Sequence, residues 1–307
     1  MNSLPNLEDL RVFVLVARRS SFAAVASEMG TSPAFVSKRI RLLEESLGVR
    51  LLHRTTRRVA VSEDGERVYR WAQHIFDAVE RMTDEVSELH QEPRGQLRIV
   101  SSFGLGRRLV APALSELSAR YPALDIRLDL FDRLVDLIDE GFDLDIRIGD
   151  NIAPNLIAKP LATNSRILCA APAYLARQGT PGSLAELAGH DCLVIKERDH
   201  PFGLWRLHGP AGEESVKVTG PLSANNGEIV HQWAVDGRGI ALRSWWDVGE
   251  SLDNGRLVHV LPEYSQPANI WAVYAAPLDT SAKIRVTVEF FRQYFQERRS
   301  QGLDHLS

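Results

Sequence analysis

From Ser62 to Glu92 the chain contains no proline, and Val68, Ala72, Ile75, Val79, Met82, Val86 and Leu89 recur at alternating spacings of four and three residues. That period is the seam of a two-stranded coiled coil, whereas a helix lying on its own core would show a wider stripe. These seven residues are therefore the candidate dimerisation surface. About 27 helical residues at about 1.5 Å each make a rod of roughly 40 Å. The rod divides the chain into a head (1–62), a linker helix (63–92) and a body (93–307). Glu92-Pro93-Arg94-Gly95 ends the helix and forms a hinge.

With 307 residues there is room for about two domains and a large core without staples. An apolar content of 44% with 25% charged residues excludes a disordered or collagen-like chain. No apolar run approaches the roughly 18 residues that would span a bilayer. The opening MNSLPNLEDLR lacks a signal-peptide layout, so the expectation is a cytoplasmic protein without a membrane partner. Cys169 and Cys192 are too few for a disulfide framework or a metal site and read as buried, reduced thiols. The net charge of −4 conceals an asymmetry: residues 1–62 carry ten basic side chains against five acids, and residues 63–92 carry three against nine. A basic head on an acidic remainder is the layout of a nucleic-acid binder.

In the head, Leu7, Leu10, Val14 and Ala17 mark a first helix starting near Ser3-Leu4-Pro5. A short helix from Phe22 to Met29 stops at Gly30, then Ser32 caps a third helix with Pro33 in its first turn. Val36, Ile40, Leu43 and Leu47 form its apolar stripe, and Gly48 closes it. This order is a helix-turn-helix. Its candidate DNA contacts are Ser32, Pro33, Ala34, Ser37, Lys38, Arg39 and Arg41, with Ser37 and Arg39 expected to face the major groove. Two short arms after Leu52 make a wing that adds Arg54, Thr55, Thr56, Arg57 and Arg58 as phosphate or minor-groove contacts. Any one of these arginines alone reads as a solvated surface charge; the order of the elements favours double-stranded DNA.

The run from Phe22-Ala23-Ala24-Val25-Ala26 through Ser32-Pro33-Ala34-Phe35-Val36-Ser37-Lys38-Arg39-Ile40, Leu43-Glu44-Glu45-Ser46-Leu47-Gly48-Val49-Arg50-Leu51-Leu52-His53-Arg54-Thr55-Thr56-Arg57 and Val61-Ser62-Glu63-Asp64-Gly65 resembles the N-terminal signature of the LysR-type transcriptional regulators. Ser62 stands where that family more often has threonine; either can cap a helix. The resemblance implies a multidomain α plus α/β chain. Its parts are an N-terminal winged helix-turn-helix, a long linker helix and a C-terminal two-lobed α/β domain like the periplasmic binding proteins. Lobe I would span about 95–163 and 268–300, and lobe II about 164–267, with crossings near Thr163 and Pro267. The implied partners are interrupted palindromic DNA sites, a second copy in a homodimer or dimer of dimers, a small-molecule effector and RNA polymerase. The implied location is cytoplasmic and nucleoid-associated.

The body supports that outline. Strands Leu97–Ser101, Leu124–Leu130 and Asp143–Ile148 alternate with helices Leu105–Arg120 and Leu134–Glu140, giving an α/β fold with a largely parallel sheet. Further strands are expected at 166–170, 192–195, 216–219, 239–243 and 270–274, and a last helix from Ser281 to about Arg298. Gly237-Arg238-Gly239-Ile240-Ala241-Leu242 is similar to the family's second lobe, although Arg243-Ser244 follows where members often have proline. Ligands in such folds bind at strand C-termini and helix N-termini. Ser101-Ser102-Phe103 and Asn225-Asn226 are the two candidate junctions, suited to a carboxylate; the serines read equally as simple caps. Phe131, Arg147 and Phe202 are candidate walls or counter-ions, or else packing and surface residues.

Catalysis has no foothold. Gly-x-Ser-x-Gly, His-Glu-x-x-His and Gly-x-x-x-x-Gly-Lys are absent, and Gly104-Leu105-Gly106 is a broken dinucleotide fingerprint. The nine histidines are scattered, with no metal spacing around His200 and His208. No enzyme activity and no cofactor are expected. The chain reads as a sequence-specific transcriptional regulator whose body senses a small molecule, an organic acid by the chemistry of its junctions. The alternative is an effector-independent architectural DNA-binding protein; an enzyme or solute-binding protein with an added head is disfavoured by the missing motifs.

Overall fold

The computed structural model describes residues 4–54, 59–86, 93–196, 202–275 and 281–300. The chain forms two compact units, Met1–Leu89 with Asp139–Gly141, and His90–Ile138 with Phe142–Ser307. Among the described residues no helix is long and apolar enough to cross a membrane.

The first unit begins with helices α1 (Leu7–Arg19), α2 (Phe22–Glu28) and α3 (Pro33–Leu47). Each starts on a polar cap: Asn6, Ser21 and Ser32 accept hydrogen bonds from the amides of Glu8, Ala24 and Phe35. Gly48 ends α3 in the left-handed region at φ 71°. Strands β1 (Leu52–Arg54) and β2 (Val59–Val61) pair antiparallel as the two arms of the wing. The turn residues Thr55, Thr56, Arg57 and Arg58 lie outside the described residues. Glu44 fixes β1 to α3 by accepting from the amides of Leu51 (2.9 Å) and Leu52 (3.3 Å). Ser62 caps the linker helix α4 (Glu63–Val86) through the Gly65 amide. Gly65 is required there, because a Cβ would lie 2.2 Å from the Leu51 carbonyl oxygen.

The seam expected of α4 is only partly a seam. Ala72 is fully buried in the head's own core, and Val68, Ile75, Tyr69 and Phe76 pack against that core. Tyr69 and Phe76 widen the stripe to the breadth of an ordinary amphipathic helix, and Ala72, which has no exposed surface left, serves the head's own core rather than a partner helix; Val68 and Ile75 stay half-buried. Val79 and Met82 stay exposed, at 37% and 58%. Val86 closes the described helix, and Leu89 lies outside the described residues.

The second unit opens lobe I with β3 (Gly95–Ser101). A continuous helical run follows: α5 (Phe103–Leu105), a π-helical turn (Gly106–Val110) and α6 (Ala111–Arg120). Strands β4 (Leu124–Leu130), β5 (Leu144–Ile148) and β6 (Ile157–Ala162) complete this part. The stretch 134–140, expected to be helical, is irregular over 134–136 and forms turns over 137–140. The Asp136 carboxylate accepts from the Ile138 amide and competes with the helical backbone pattern.

Past Asn164 the chain enters lobe II with β7 (Ser165–Ala170), α7 (Pro172–Gln178), β8 (Cys192–Ile195), β9 (Leu204–Gly209), β10 (Gly212–Lys217) and β11 (Ser223–Ala224). It continues with α8 (Gly227–Val235), β12 (Ile240–Ser244), α9 (Trp245–Asp253) and β13 (Val258–Pro267). It then returns to lobe I as β14 (Ile270–Tyr274) and α10 (Ala282–Ser300). Both sheets are mixed rather than largely parallel. Lobe I has the order β4-β3-β5-β14-β6, and the returning β14 runs antiparallel to β5 and β6. Lobe II has the order β10-β9-β13-β7-β12-β8-β11. Alternation along β7 sends Leu168 and Ala170 into one apolar layer and Ile167 and Cys169 into the other. The two crossings are tied together at Asn164, whose Nδ2 donates to the Ala268 carbonyl (2.7 Å) and the Ser244 hydroxyl (3.2 Å).

Candidate functional site

On α3 the residues Ala34, Ser37, Lys38 and Arg41 follow i, i+3, i+4, i+7 spacing and so share one face. They line a groove that continues through Glu44, Glu45 and Gly48 to Arg50. Ser32, Pro33 and Ala34 are exposed at the start of the helix, as is Phe35 at 40%. Lys38 is exposed, while Arg41 lies 3.6 Å from Glu45. Arg39 is the exception among the residues expected on this face. Its Nε sits 2.7 Å from Oδ1 of the buried Asp9 on α1, an ion pair rather than an aligned hydrogen bond. One residue further along a helix turns the side chain by about 100°, which takes Arg39 off the face that holds Lys38 and toward α1. Burial raises the Asp9 carboxyl's pKa, against the lowering effect of Arg39. Arg54 ends β1 beside the undescribed wing turn.

In the second unit a cleft between the lobes holds about 130 Å³ of room. Of the expected residues, Ser102, Arg147 and Asn225 line it. Ser102 precedes α5 without making a side-chain cap, so simple capping does not account for it. Ser101 is fully buried and donates to the Ile146 carbonyl at 2.7 Å, pinning β3 to β5. Period-two alternation turns one serine inward and the next toward the cleft. Asn226 caps α8 and donates from Nδ2 to Asp132 at 2.8 Å. Phe103 is 46% exposed and is not among the lining residues, although its amide donates to Asp132. Phe131 packs with Val100, Leu137 and Phe142 in a small core, and Phe202 is 60% exposed; neither lines the cleft.

The sequence reading missed most of the cleft's charge. Arg166, Lys196 and Arg243 join Arg147 on its wall, so that among the described residues four cations and the carboxylate of Asp132 line it. Arg166 donates to Gln266 at 2.7 Å. Arg243 is 90% buried and lies against Gly227, where a Cβ would come within 2.4 Å of its guanidinium. Its charge meets Asp247, with both Nε (2.9 Å) and Nη2 (2.7 Å) donating to Oδ2. Burial would raise the Asp247 carboxyl, yet Arg243 and His231 together hold it well below the usual carboxylate range. The stability supplied is complete above the ordinary carboxylate pKa and is lost only as pH falls toward the depressed folded value. Trp246 also lines the cleft, and its buried Nε1 has no hydrogen-bond acceptor among the described residues. The arrangement offers converging cations, a hydroxyl at Ser102 and an indole donor, a chemistry suited to binding an oxyanion.

Covalent chemistry is poorly served. Burial pushes both the Cys169 and Cys192 thiols up to about 12, so they are protonated and unreactive at neutral pH. Among the described residues no group of three His, Cys, Asp or Glu side chains could hold a metal ion.

Comparison with known proteins places both units. Residues 7–66 match the family described as bacterial regulatory helix-turn-helix protein, lysR family, and residues 90–296 match the LysR substrate binding domain. The chain is 65% identical to the HTH-type transcriptional regulator DmlR of Escherichia coli K12, across 97% of both chains. It is 50% identical to the HTH-type transcriptional activator TtdR of the same strain, across 97% of this chain and 96% of that one. The solved structure of CrgA, a LysR-type transcriptional regulator from Neisseria meningitidis, aligns with a TM-score of 0.57 at 31% identity, covering 95% of this chain and 98% of that one. Regulators of this type bind DNA and act as oligomers. The chain belongs to the LysR family: it is a LysR-type transcriptional regulator with a winged helix-turn-helix head and a two-lobed substrate-binding domain.

Proposed function

We propose that the regulator responds to a small organic acid bound between the lobes of its second unit. The observation that carries this reading is the cleft whose described lining has four cations and one carboxylate, set beside Ser102 and the Trp246 indole. Arg243 is already paired with Asp247, and Arg147 lies 3.9 Å from Asp145, so an anion there joins an existing charge network and adds charge-assisted hydrogen bonds to it. A ligand of this kind needs no cofactor and no covalent step. The test is a thermal-shift series with acetate, succinate and citrate on the full chain. At least one acid raises the melting temperature of the wild type, and Arg147→Gln loses most of that rise. A wild type indifferent to all three would count against an anion site.

The DNA half of the reading rests on the face formed by Ala34, Ser37, Lys38 and Arg41, with the wing from Arg54 to Arg58 on flanking phosphates. Lys38→Ala is expected to cost about 1–3 kcal/mol on cognate DNA with a smaller effect on random DNA if it reaches a base edge. Arg57→Ala and Arg58→Ala weaken binding to every sequence and flatten its salt dependence. Competition binding across a salt series separates the two behaviours. Interrupted palindromes follow from a symmetric dimer, which this reading assigns to Val79, Met82 and the helix beyond. Met82→Glu is then expected to dissociate the dimer without unfolding the head, whereas Ile75→Glu destabilises the head itself. Light scattering together with a melting curve on each variant checks both statements. The oligomer beyond a dimer and a contact with RNA polymerase belong to the same proposal.

A further inference from the structure

The π-helical turn of lobe I carries two arginines that both cross to lobe II, and they end in different places. The exposed Arg107 pairs with the half-buried Glu228 on α8. Arg108 reaches Asp247 on α9, its Nη1 donating to the carboxylate Oδ1 at 2.9 Å and to the backbone carbonyl at 2.8 Å. Asp247 is 1% exposed, and its other oxygen, Oδ2, is taken by Arg243 of the cleft wall. His231 Nδ1 lies 3.4 Å from Oδ1. One buried carboxylate is therefore shared between a residue that lines the cleft and a residue of the opposite lobe that does not.

We propose that Asp247 is the positioning residue that couples occupancy of the cleft to closure of the lobes, by dividing its two oxygens between Arg243 and Arg108. This rests on the reading of the cleft as an anion site. An anion engaging Arg243 adds negative charge within a short distance of Asp247 and draws part of the guanidinium's field onto itself. Asp247 is then less neutralised by Arg243, and its attraction for Arg108 rises. In a site this buried the change is weakly screened by solvent or salt. The closed arrangement and the bound anion thus favour each other, and linkage makes the effect reciprocal. Arg108 must therefore influence ligand affinity although it does not line the cleft. Arg107 crosses between the same lobes, but its hydrogen bonds go to Glu228 and it feels Asp247 only through the longer-range field, so its share in this route is smaller.

The test is calorimetric titration of the full chain with acetate, succinate and citrate as probes. For whichever acid binds the wild type, R108Q is expected to lose about five- to tenfold in affinity and R107Q less than about twofold. R108K, which keeps the charge, recovers most of the loss and guards against a folding artefact. In a D247N background R108Q has a much smaller further effect, because the shared carboxylate is gone and only the backbone carbonyl of residue 247 and Glu250, 3.9 Å away, still hold Arg108. R108Q binding as tightly as the wild type would overturn the coupling, as would equal losses in R107Q and R108Q, or additive losses in the D247N background. A wild type that binds none of the three acids overturns the anion reading and this coupling with it, an outcome distinct from a binding wild type with an indifferent R108Q.

Discussion

Arg243→Met is expected to destabilise the second unit by about 3 kcal/mol and to abolish its response to organic acids, while leaving the head's fold unchanged. The size follows from what the substitution strands. Asp247 is almost completely buried, and methionine fills the space of the guanidinium's stem without supplying either donor to Oδ2. Removing one partner of a buried ion pair costs several kcal/mol because the remaining charge has no solvent to turn to. Arg108 and His231 still face Oδ1, which keeps the cost at the lower end of that range. Chemical denaturation of the body, read by its tryptophans, measures the loss. A change below about 0.5 kcal/mol would mean that Arg243 is replaceable at the surface rather than part of a buried pair.

The second large effect is in the head. Arg39→Ala leaves the Asp9 carboxylate buried without its cation, at a cost of about 2 kcal/mol. Because the damage is to the packing of α1 on α3, binding to cognate and random DNA falls together, and the melting temperature falls with them. A residue reading a base edge would behave otherwise, losing specific binding at unchanged stability. The double substitution Asp9→Asn with Arg39→Met should recover part of the stability, since it removes the stranded charge.

What the sequence shows of this molecule and what it hides divide along the reach of the interactions. The caps at Ser32 and Ser62 and the stops at Gly30 and Gly48 are local, and each does what its residue type implies. The order of helix, turn, helix and paired arms is equally local, which is why the head was legible. The orientation of Arg39 was not, because its partner comes from α1, thirty residues earlier. Tyr69 and Phe76 do not belong to the four-three pattern, so counting that pattern alone made α4 look like a pure seam. The cleft was the least legible part. Arg166 and Arg243 lie on β7 and β12, which pair antiparallel with Ser244 opposite Arg166 and Arg243 opposite Ile167. Nothing local brings residues so distant in the chain to one wall. One signal was available: Arg243-Ser244 breaks the pattern of the family at the point where this chain places its buried cation. Ser101 and Ser102 could also have been separated by strand alternation, which turns only the second toward the cleft.

Under the proposed function, an anion held in the cleft changes how the head engages DNA. The most direct measurement is a footprint on DNA selected by the wild-type chain, taken with and without the acid that stabilises it. The comparison is a chain carrying Ser102→Ala and Arg147→Gln. The expected result is an acid-dependent change in the wild-type footprint, and a variant that dimerises and binds the same DNA with a footprint the acid does not alter. A wild-type footprint that stays identical with every acid would contradict the claim and favour an architectural DNA-binding role that needs no effector.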